Sequence, residues 1–152
     1  MAEDPTHIAA WQRLDAKTTT SGRLAAEDIP ALAGIGVRHV INLALSNSPG
    51  ALSGEDDLVA AHGLAYTHIP VPFVAPEERH FAEFCRVIES AVTPVHVHCI
   101  MNWRVSAFYY RYHRDIAGMN ETEARALMEQ QWSPETGDYP HAPTWARFIA
   151  AR

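Results

Sequence analysis

Short apolar segments with the character of β-strands alternate with amphipathic helical patterns along this chain. Three strand segments stand out: VRHVINLAL (37–45), LAYTHIPV (64–71) and PVHVHC (94–99). The first is too continuously apolar for a half-exposed strand and is typical of a strand covered on both faces. Strands that alternate with helices usually pair in parallel, because each connecting helix crosses the sheet before the next strand begins.

Helical segments are predicted between and after these strands. Pro30 is tolerated only in the first turn of its helix, and we expect Gly34 and Gly36 to end that helix. Asn120 and Glu123 resemble a capping box at the start of a later helix. Acidic starts, glycine ends and apolar residues three and four positions apart predict the other helices: 54–63, 78–92, the segment after Cys99, and a short one after Pro143.

Length and composition fit one α/β domain. The chain has 152 residues, of which 47% are hydrophobic, so it can bury one substantial core. We therefore predict a single domain over residues 1–152. We expect a three-layer α/β/α architecture, in which helices cover both faces of a mostly parallel sheet of four to five strands.

Charge and segment composition narrow the function classes. The net charge of −6 argues against nucleic acid or an acidic membrane surface as the main partner. We find no apolar run long enough to cross a membrane and no secretory or transit signal. The two cysteines do not suggest a disulfide scaffold, so we expect a reduced, cytoplasmic protein. The sequence leaves the oligomeric state open.

The segment after the last predicted strand carries the clearest chemical signal. Cys99 ends that strand, and Arg104 opens the next helix. In parallel α/β sheets, ligands bind beyond the carboxyl ends of the strands. Loop N–H groups and the positive end of a helix bind anions and favour the ionised form of a thiol. With the guanidinium of Arg104 as a clamp, we expect inorganic phosphate or sulfate to bind here.

The same segment resembles a known signature. His98, Cys99, Arg104 and Ser106 resemble the His-Cys-x5-Arg-Ser/Thr motif of the cysteine-dependent protein tyrosine and dual-specificity phosphatases. The segments TSGRLAAEDIPALAGIGVRHVINL (20–43) and GLAYTHIPV (63–71) resemble the small bacterial branch of that superfamily, so the resemblance covers roughly residues 18 to 150. It implies a protein tyrosine phosphatase-like fold that needs no metal or other cofactor.

The resemblance also implies a role for each matched residue. Cys99 would be the nucleophile that forms a phosphocysteine, and His98 would orient it and help to ionise it. Arg104 would bind the phosphoryl oxygens, and Ser106 would assist the thiolate as a leaving group. The implied partner is a phosphorylated protein or a small phosphoester.

The loop departs from the signature in length. It has four residues where the motif has five: Ile100, Met101, Asn102 and Trp103. Arg104 therefore comes one residue early, which corresponds to about 100° of helical rotation. Asn102 stands where the motif has glycine, and asparagine tolerates the left-handed conformation that such a turn needs. We expect Trp103 to shape the rim of the site or to pack beneath the loop.

The absence of the usual general acid is the second departure from the phosphatase pattern. These enzymes usually carry an aspartate after the strand that corresponds to YTHIPV, but no aspartate occurs here between Asp57 and Asp115. Loss of such an acid typically costs roughly 10²- to 10⁴-fold in rate, so activity could be weak. The candidate substitutes for this acid are Glu77, Glu78, His80 and Asp138.

Two alternatives to a phosphatase remain open. A Cys-x4-Arg loop also occurs in sulfurtransferases of the rhodanese family, where it cradles a persulfide. A phosphate- or phosphopeptide-binding module that has lost turnover would explain the missing aspartate. A metal site is not predicted: His96 and His98 share one strand face, but the sequence suggests no third ligand. We expect His96 to be a packed or hydrogen-bonded strand residue.

Overall fold

The computed structural model describes residues 2–152. It contains one five-stranded sheet with the spatial order β1-β2-β5-β3-β4. The strands are β1 Gln12–Asp15, β2 Thr18–Ser21, β3 His39–Asn42, β4 Ala65–His68 and β5 Val95–His98. The helices are α1 Asp28–Gly34, α2 Glu55–Ala61, α3 Glu78–Ser90, α4 Trp103–Asp115, α5 Glu121–Glu129 and α6 Ala142–Ala150.

The sheet is parallel except at one edge. Strand β5 lies at its centre and pairs in parallel with β2 and β3, while β1 pairs antiparallel with β2. His98 is in register with both Ser21 and Asn42, so three parallel strands end at the same level. The residues that follow them therefore meet at one edge of the sheet, where α/β proteins bind ligands.

Helices cover both faces of the sheet. Val40 and Ile41 of β3 point to opposite faces, and each belongs to a separate buried cluster. One cluster includes Ile29 and Leu32 of α1 and Val59 of α2. The other gathers apolar residues of the remaining four helices: Phe84, Phe108, Met128 and Trp145. The predicted three-layer α/β/α architecture with a mostly parallel sheet is thus confirmed.

Most helix predictions are confirmed. Pro30 lies in the first turn of α1. Asn120 is the N-terminal cap residue of α5 and accepts a hydrogen bond from the Thr122 N–H, but the predicted capping box with Glu123 does not form. The helix predicted over 78–92 ends at Ser90, and Val92 is 55% exposed. Strands β1 and β2 were not predicted, because neither QRLD nor TTTS contains an apolar run and TTTS has the composition of a loop.

Buried hydrogen bonds join β2 to β5 through His96. Its Nδ1 lies 2.8 Å from Thr19 Oγ1, and its Nε2 lies 2.8 Å from Ser21 Oγ. The Ser21 hydroxyl donates to the Gly22 carbonyl, so Ser21 Oγ accepts a hydrogen bond from the Nε2–H. The imidazole is completely buried, and this burial holds its pKa well below the usual value. The prediction of a hydrogen-bonded His96 is confirmed.

Acid is expected to destabilise the fold through His96. At pH values below about 6.5, the ordinary pKa of histidine, His96 binds a proton in the unfolded state but not when it is buried. The free energy of unfolding therefore decreases as the pH decreases. The slope approaches about 1.4 kcal/mol per pH unit for this one group. Urea titrations between neutral and mildly acidic pH measure that slope, and H96Q should reduce it. An unchanged slope in H96Q would exclude His96 as the cause.

Among residues 2–152, no helix has the length and apolar character needed to span a bilayer. The longest helices have 13 residues, whereas a spanning helix needs about 20.

Candidate active site

A cavity of about 420 Å³ opens beyond the carboxyl ends of β3, β4 and β5. Three loops form its walls, and Cys99 lies deep within it, being only 1% exposed. Its lining consists of Leu45, Asn47, Ser48, Pro49, Pro72, Phe73, Val74, Cys99, Ile100, Met101, Trp103 and Arg104. The structure thus brings Cys99 and Arg104 together at this edge of the sheet.

Asn102 shapes the loop that connects β5 to α4. Its backbone is left-handed (φ 65°, ψ 7°), as predicted, and it is the N-terminal cap residue of α4. Its buried side chain donates hydrogen bonds from Nδ2 to Ala10 O at 2.9 Å and to Thr20 Oγ1 at 3.0 Å. The turn that the signature motif makes with glycine is thus held here by an asparagine anchored to the N-terminal segment.

The backbone N–H groups of the loop are available to a ligand. Cys99 N–H donates to Ser21 O at 3.4 Å, and regular hydrogen bonding resumes only at Ser106 N–H, which donates to Asn102 O. Within the described part of the chain, residues 2–152, the N–H groups of residues 100–105 have no hydrogen-bond acceptor. A run of unpaired amides at the start of a helix binds anions.

Gly22 lets the N-terminal segment pack closely against this loop. The N–H of the next residue, Arg23, donates to Ile100 O at 2.9 Å. A Cβ atom at position 22 would lie 2.5 Å from Ile100 O, closer than atoms can approach without a shift of the backbone. The conformation of the Cys99 loop therefore depends on a glycine that lies far away in the sequence.

The variant G22A is expected to displace the loop and to weaken anion binding. Overpacking of this kind usually costs about 1–3 kcal/mol of stability. The matched control is G34A, because a Cβ at position 34, the last residue of α1, meets nothing within 4 Å. Thermal unfolding with and without inorganic phosphate measures both effects. Equal phosphate protection of the two variants would show that the close approach at Gly22 does not shape the loop.

Arg104 lies in the first turn of α4 and is 6% exposed. Its Nη1 donates to Val71 O at 2.9 Å, and its guanidinium lies 5.9 Å from the centroid of the Phe73 ring. A guanidinium has five N–H donors. Of the three guanidinium nitrogens of Arg104, only Nη1 has an acceptor among residues 2–152. The remaining donors can bind an oxyanion held above Cys99.

His98 supports the loop from behind. Its Nδ1 lies 3.1 Å from Cys99 O, and its Nε2 lies 2.6 Å from Glu55 Oε2, with both side chains buried. A carbonyl only accepts hydrogen bonds, so the ring donates from Nδ1 to Cys99 O, and the Glu55 contact fixes the orientation of the ring. Sequence analysis missed Glu55, because it lies 43 residues away and its type is ordinary at the start of a helix.

Ser106 lies away from the cavity. Its hydroxyl donates to Trp103 O at 3.1 Å, within the first turn of α4. The side chain faces a separate, very small cavity that is also lined by Gln12, Thr20 and Tyr109. The structure therefore does not bring Ser106 to Cys99, and the leaving-group role that the resemblance implied has no geometric support.

Glu77 and His80 hold the start of α3 and do not line the cavity. They form a reciprocal capping box, in which the Glu77 N–H donates to His80 Nδ1 at 2.9 Å. Arg79 donates a hydrogen bond to the exposed Glu77 carboxylate and lowers its pKa. Burial lowers the pKa of His80, so its imidazole is neutral and accepts the backbone hydrogen bond.

Glu78 and Asp138 also lie outside the cavity. Glu78 accepts two hydrogen bonds from the guanidinium of Arg111, which lower the pKa of its carboxyl group. Asp138 is exposed in the C-terminal loop. Within residues 2–152, no carboxylate or imidazole lines the Cys99 cavity, so the structure brings none of the four proposed acids to the site.

An aromatic cluster forms one wall of the cavity. Trp103 stacks on Trp132 with a centroid distance of 5.0 Å and an interplanar angle of 7°. Tyr139 packs edge-on against both rings, and Trp145 donates from Nε1 to Phe73 O at 2.7 Å. Trp103 thus lines the cavity as a wall residue. Its partners come from the C-terminal half of the chain, and no local pattern in the sequence indicated them.

Comparison with known proteins rests on structure. No family model and no curated protein matches the sequence. The "putative phosphatase (DUF442)" from Shewanella putrefaciens CN-32 superimposes with a TM-score of 0.78 at 27% identity, covering 97% of this chain and 95% of that chain.

Two more distant structures share the fold. TpbA of P. aeruginosa, solved in complex with pTyr, has a TM-score of 0.73 and 16% identity, and the match covers 98% of this chain and 86% of that one. The core catalytic domain of the PP-IP phosphatase SIW14 from S. cerevisiae, solved with citrate, has a TM-score of 0.73 and 11% identity, with coverage of 94% and 86%. These matches show that the chain has a protein tyrosine/dual-specificity phosphatase-like fold.

Proposed function

We propose that this protein is a cysteine-dependent phosphoester hydrolase in which Cys99 accepts the phosphoryl group. The observation that carries this proposal is the shared cavity, which combines the Cys99 thiol, the free donors of Arg104 and the unpaired N–H groups of residues 100–105. These donors suit the oxygens of a tetrahedral phosphoryl group. TpbA, which has the same fold, was solved with pTyr, and this agrees with a phosphoester as the ligand.

The reaction has two steps in this proposal. The Cys99 thiolate attacks phosphorus and forms an S–P bond while the ester P–O bond breaks. Water then attacks the phosphocysteine, which releases phosphate and restores the thiolate. Arg104 and the loop amides stabilise the charge on the equatorial oxygens in both transition states. His98 and Glu55 hold the Cys99 peptide in place and do not contact the reacting atoms.

A phosphate-binding module without turnover is the second candidate. The cavity lining favours it, because no carboxylate or imidazole among residues 2–152 is available there to protonate a leaving group or to activate water. Such a module would keep the anion-binding donors and lose only the chemical steps.

The test compares three activities of the purified protein. We expect hydrolysis of 4-nitrophenyl phosphate, a phosphocysteine at Cys99 detectable by mass spectrometry after rapid acid quench, and no thiocyanate from thiosulfate and cyanide. Thiocyanate production without phosphate release would instead indicate a sulfurtransferase. Thermal protection by inorganic phosphate without turnover of either substrate would indicate the binding module.

A further inference from the structure

We infer that this site acts on phosphate compounds that have an apolar body and a leaving group that departs as a stable anion without receiving a proton from the protein. The inference rests on the proposed function and narrows its substrate class. Acidic phenols and carboxylic acids are leaving groups of this kind, whereas simple alcohols are not.

The first observation is the chemistry of the cavity lining. Only two of its residues ionise: Cys99 supplies the nucleophile, and Arg104 stays protonated at any physiological pH. Asn47 and Ser48 are the other polar residues, and neither side chain is acidic enough to serve as a general acid. Throughout residues 2–152, no further titratable side chain lines this cavity.

The second observation is that two of the candidate acids, Glu77 and Glu78, are held by other groups outside the cavity. Glu77 accepts from the backbone of α3 within the capping box and pairs with Arg79. Glu78 is bound at both carboxylate oxygens by Arg111, whose guanidinium lies 4.2 Å from the centroid of the Phe81 ring. Either glutamate would have to break these hydrogen bonds to reach the cavity.

Without a proton donor in the cavity, the leaving oxygen must depart as an anion. When the S–P bond forms, the P–O bond breaks and its electron pair leaves with the oxygen, which departs unprotonated. In the second step, the water oxygen bonds to phosphorus, the S–P electron pair returns to Cys99, and both protons of water stay on the product as H₂PO₄⁻. No step takes a proton from a side chain, so the stability of the departing anion decides the rate of the first step.

The third observation concerns the body of the substrate. Val74 and Met101 are 59% and 51% exposed at the mouth of the cavity, and Phe73 and Trp103 form its aromatic wall. Arg104 is the only cation in the lining, and the whole chain carries a net charge of −6. A flat apolar group can pack on the aromatic wall, whereas additional phosphate groups would find no second cation in the lining.

The test is a series of aryl phosphates that differ in leaving-group pKa, from 2,4-dinitrophenyl through 4-nitrophenyl to phenyl phosphate. We expect kcat/KM to fall steeply along the series, by roughly 10²- to 10⁴-fold, which is the contribution that a general acid would otherwise make. A shallow dependence would overturn the inference, because it would show that a protein group protonates the leaving oxygen.

A matched pair of variants tests directly whether the site lacks a group that donates a proton to the leaving oxygen. V74D places a carboxyl group at the mouth of the cavity, whereas V74N has nearly the same shape and no such proton. We expect V74D to turn over phenyl phosphate faster than V74N, whereas the two variants should hydrolyse the dinitrophenyl ester at similar rates. Equal turnover of phenyl phosphate by the two variants would count against the inference. No cleavage even of the dinitrophenyl ester would overturn the proposed function itself, an outcome distinct from a shallow dependence.

Discussion

Replacing Cys99 with serine is expected to lower the hydrolysis of 2,4-dinitrophenyl phosphate by at least about 10³-fold. Serine Oγ is a far weaker nucleophile than a thiolate, and among residues 2–152 no base lines the cavity to activate it. The anion-binding donors belong to the backbone and to Arg104, so the variant should still bind phosphate. Steady-state kinetics and phosphate-dependent thermal shifts measure the two properties separately.

Cys85 provides the matched control. It lies on α3, outside the cavity, and burial raises the pKa of its thiol to about 11. The variant C85S should therefore hydrolyse the same ester at the wild-type rate. Iodoacetamide at neutral pH should label C85S on Cys99 and leave C99S unlabelled. If C99S retained activity, the phosphocysteine mechanism would be wrong.

Replacing Arg104 with lysine is expected to lower kcat/KM by roughly 10²- to 10³-fold, comparable to the loss of one preorganised donor to a developing negative charge. Lysine keeps the positive charge but lacks the planar set of donors that can bind Val71 O and an oxyanion at the same time. The kinetic loss should appear mainly in kcat, since the phosphoryl group gains charge-stabilising contacts in the transition state.

Arg79 supplies the comparison for this substitution. It is exposed on α3 and pairs only with Glu77 among residues 2–152, so R79K should leave the kinetics unchanged. R104K kinetics equal to those of R79K would mean that the guanidinium of Arg104 serves only to hold the Val71 loop.

The sequence predicted those parts of the fold that repeat a local pattern. Strands β3, β4 and β5 and the helices that connect them carry continuous apolar segments or apolar residues three and four positions apart, and local patterns of this kind are readable without a structure. Strand β2 does not repeat such a pattern. Thr19 and Ser21 point to His96, which lies 77 and 75 residues away, and only the folded chain shows why polar residues suit a buried strand.

In the candidate site, too, only the residues that lie close together in the sequence could be predicted. Cys99 and Arg104 lie five residues apart, so a strand-loop-helix pattern sufficed to place them together. The position of a general acid depends on where side chains of a distant loop point, and spacing in the sequence carries no such information. Glu55 illustrates the converse, because nothing in its local sequence indicates that it binds His98.

Trp103, Trp132 and Trp145 are three of the four tryptophans in the chain, and they pack together at the wall of the Cys99 cavity that Trp103 lines. Two indoles stacked nearly face to face couple their electronic transitions, so we expect this pair to give a distinct near-ultraviolet circular dichroism signal. Any occupant that touches Trp103 should alter emission and circular dichroism without an attached dye. The affinities of unlabelled compounds for the cavity can therefore be compared by titration of the tryptophan signal, before any turnover is measured.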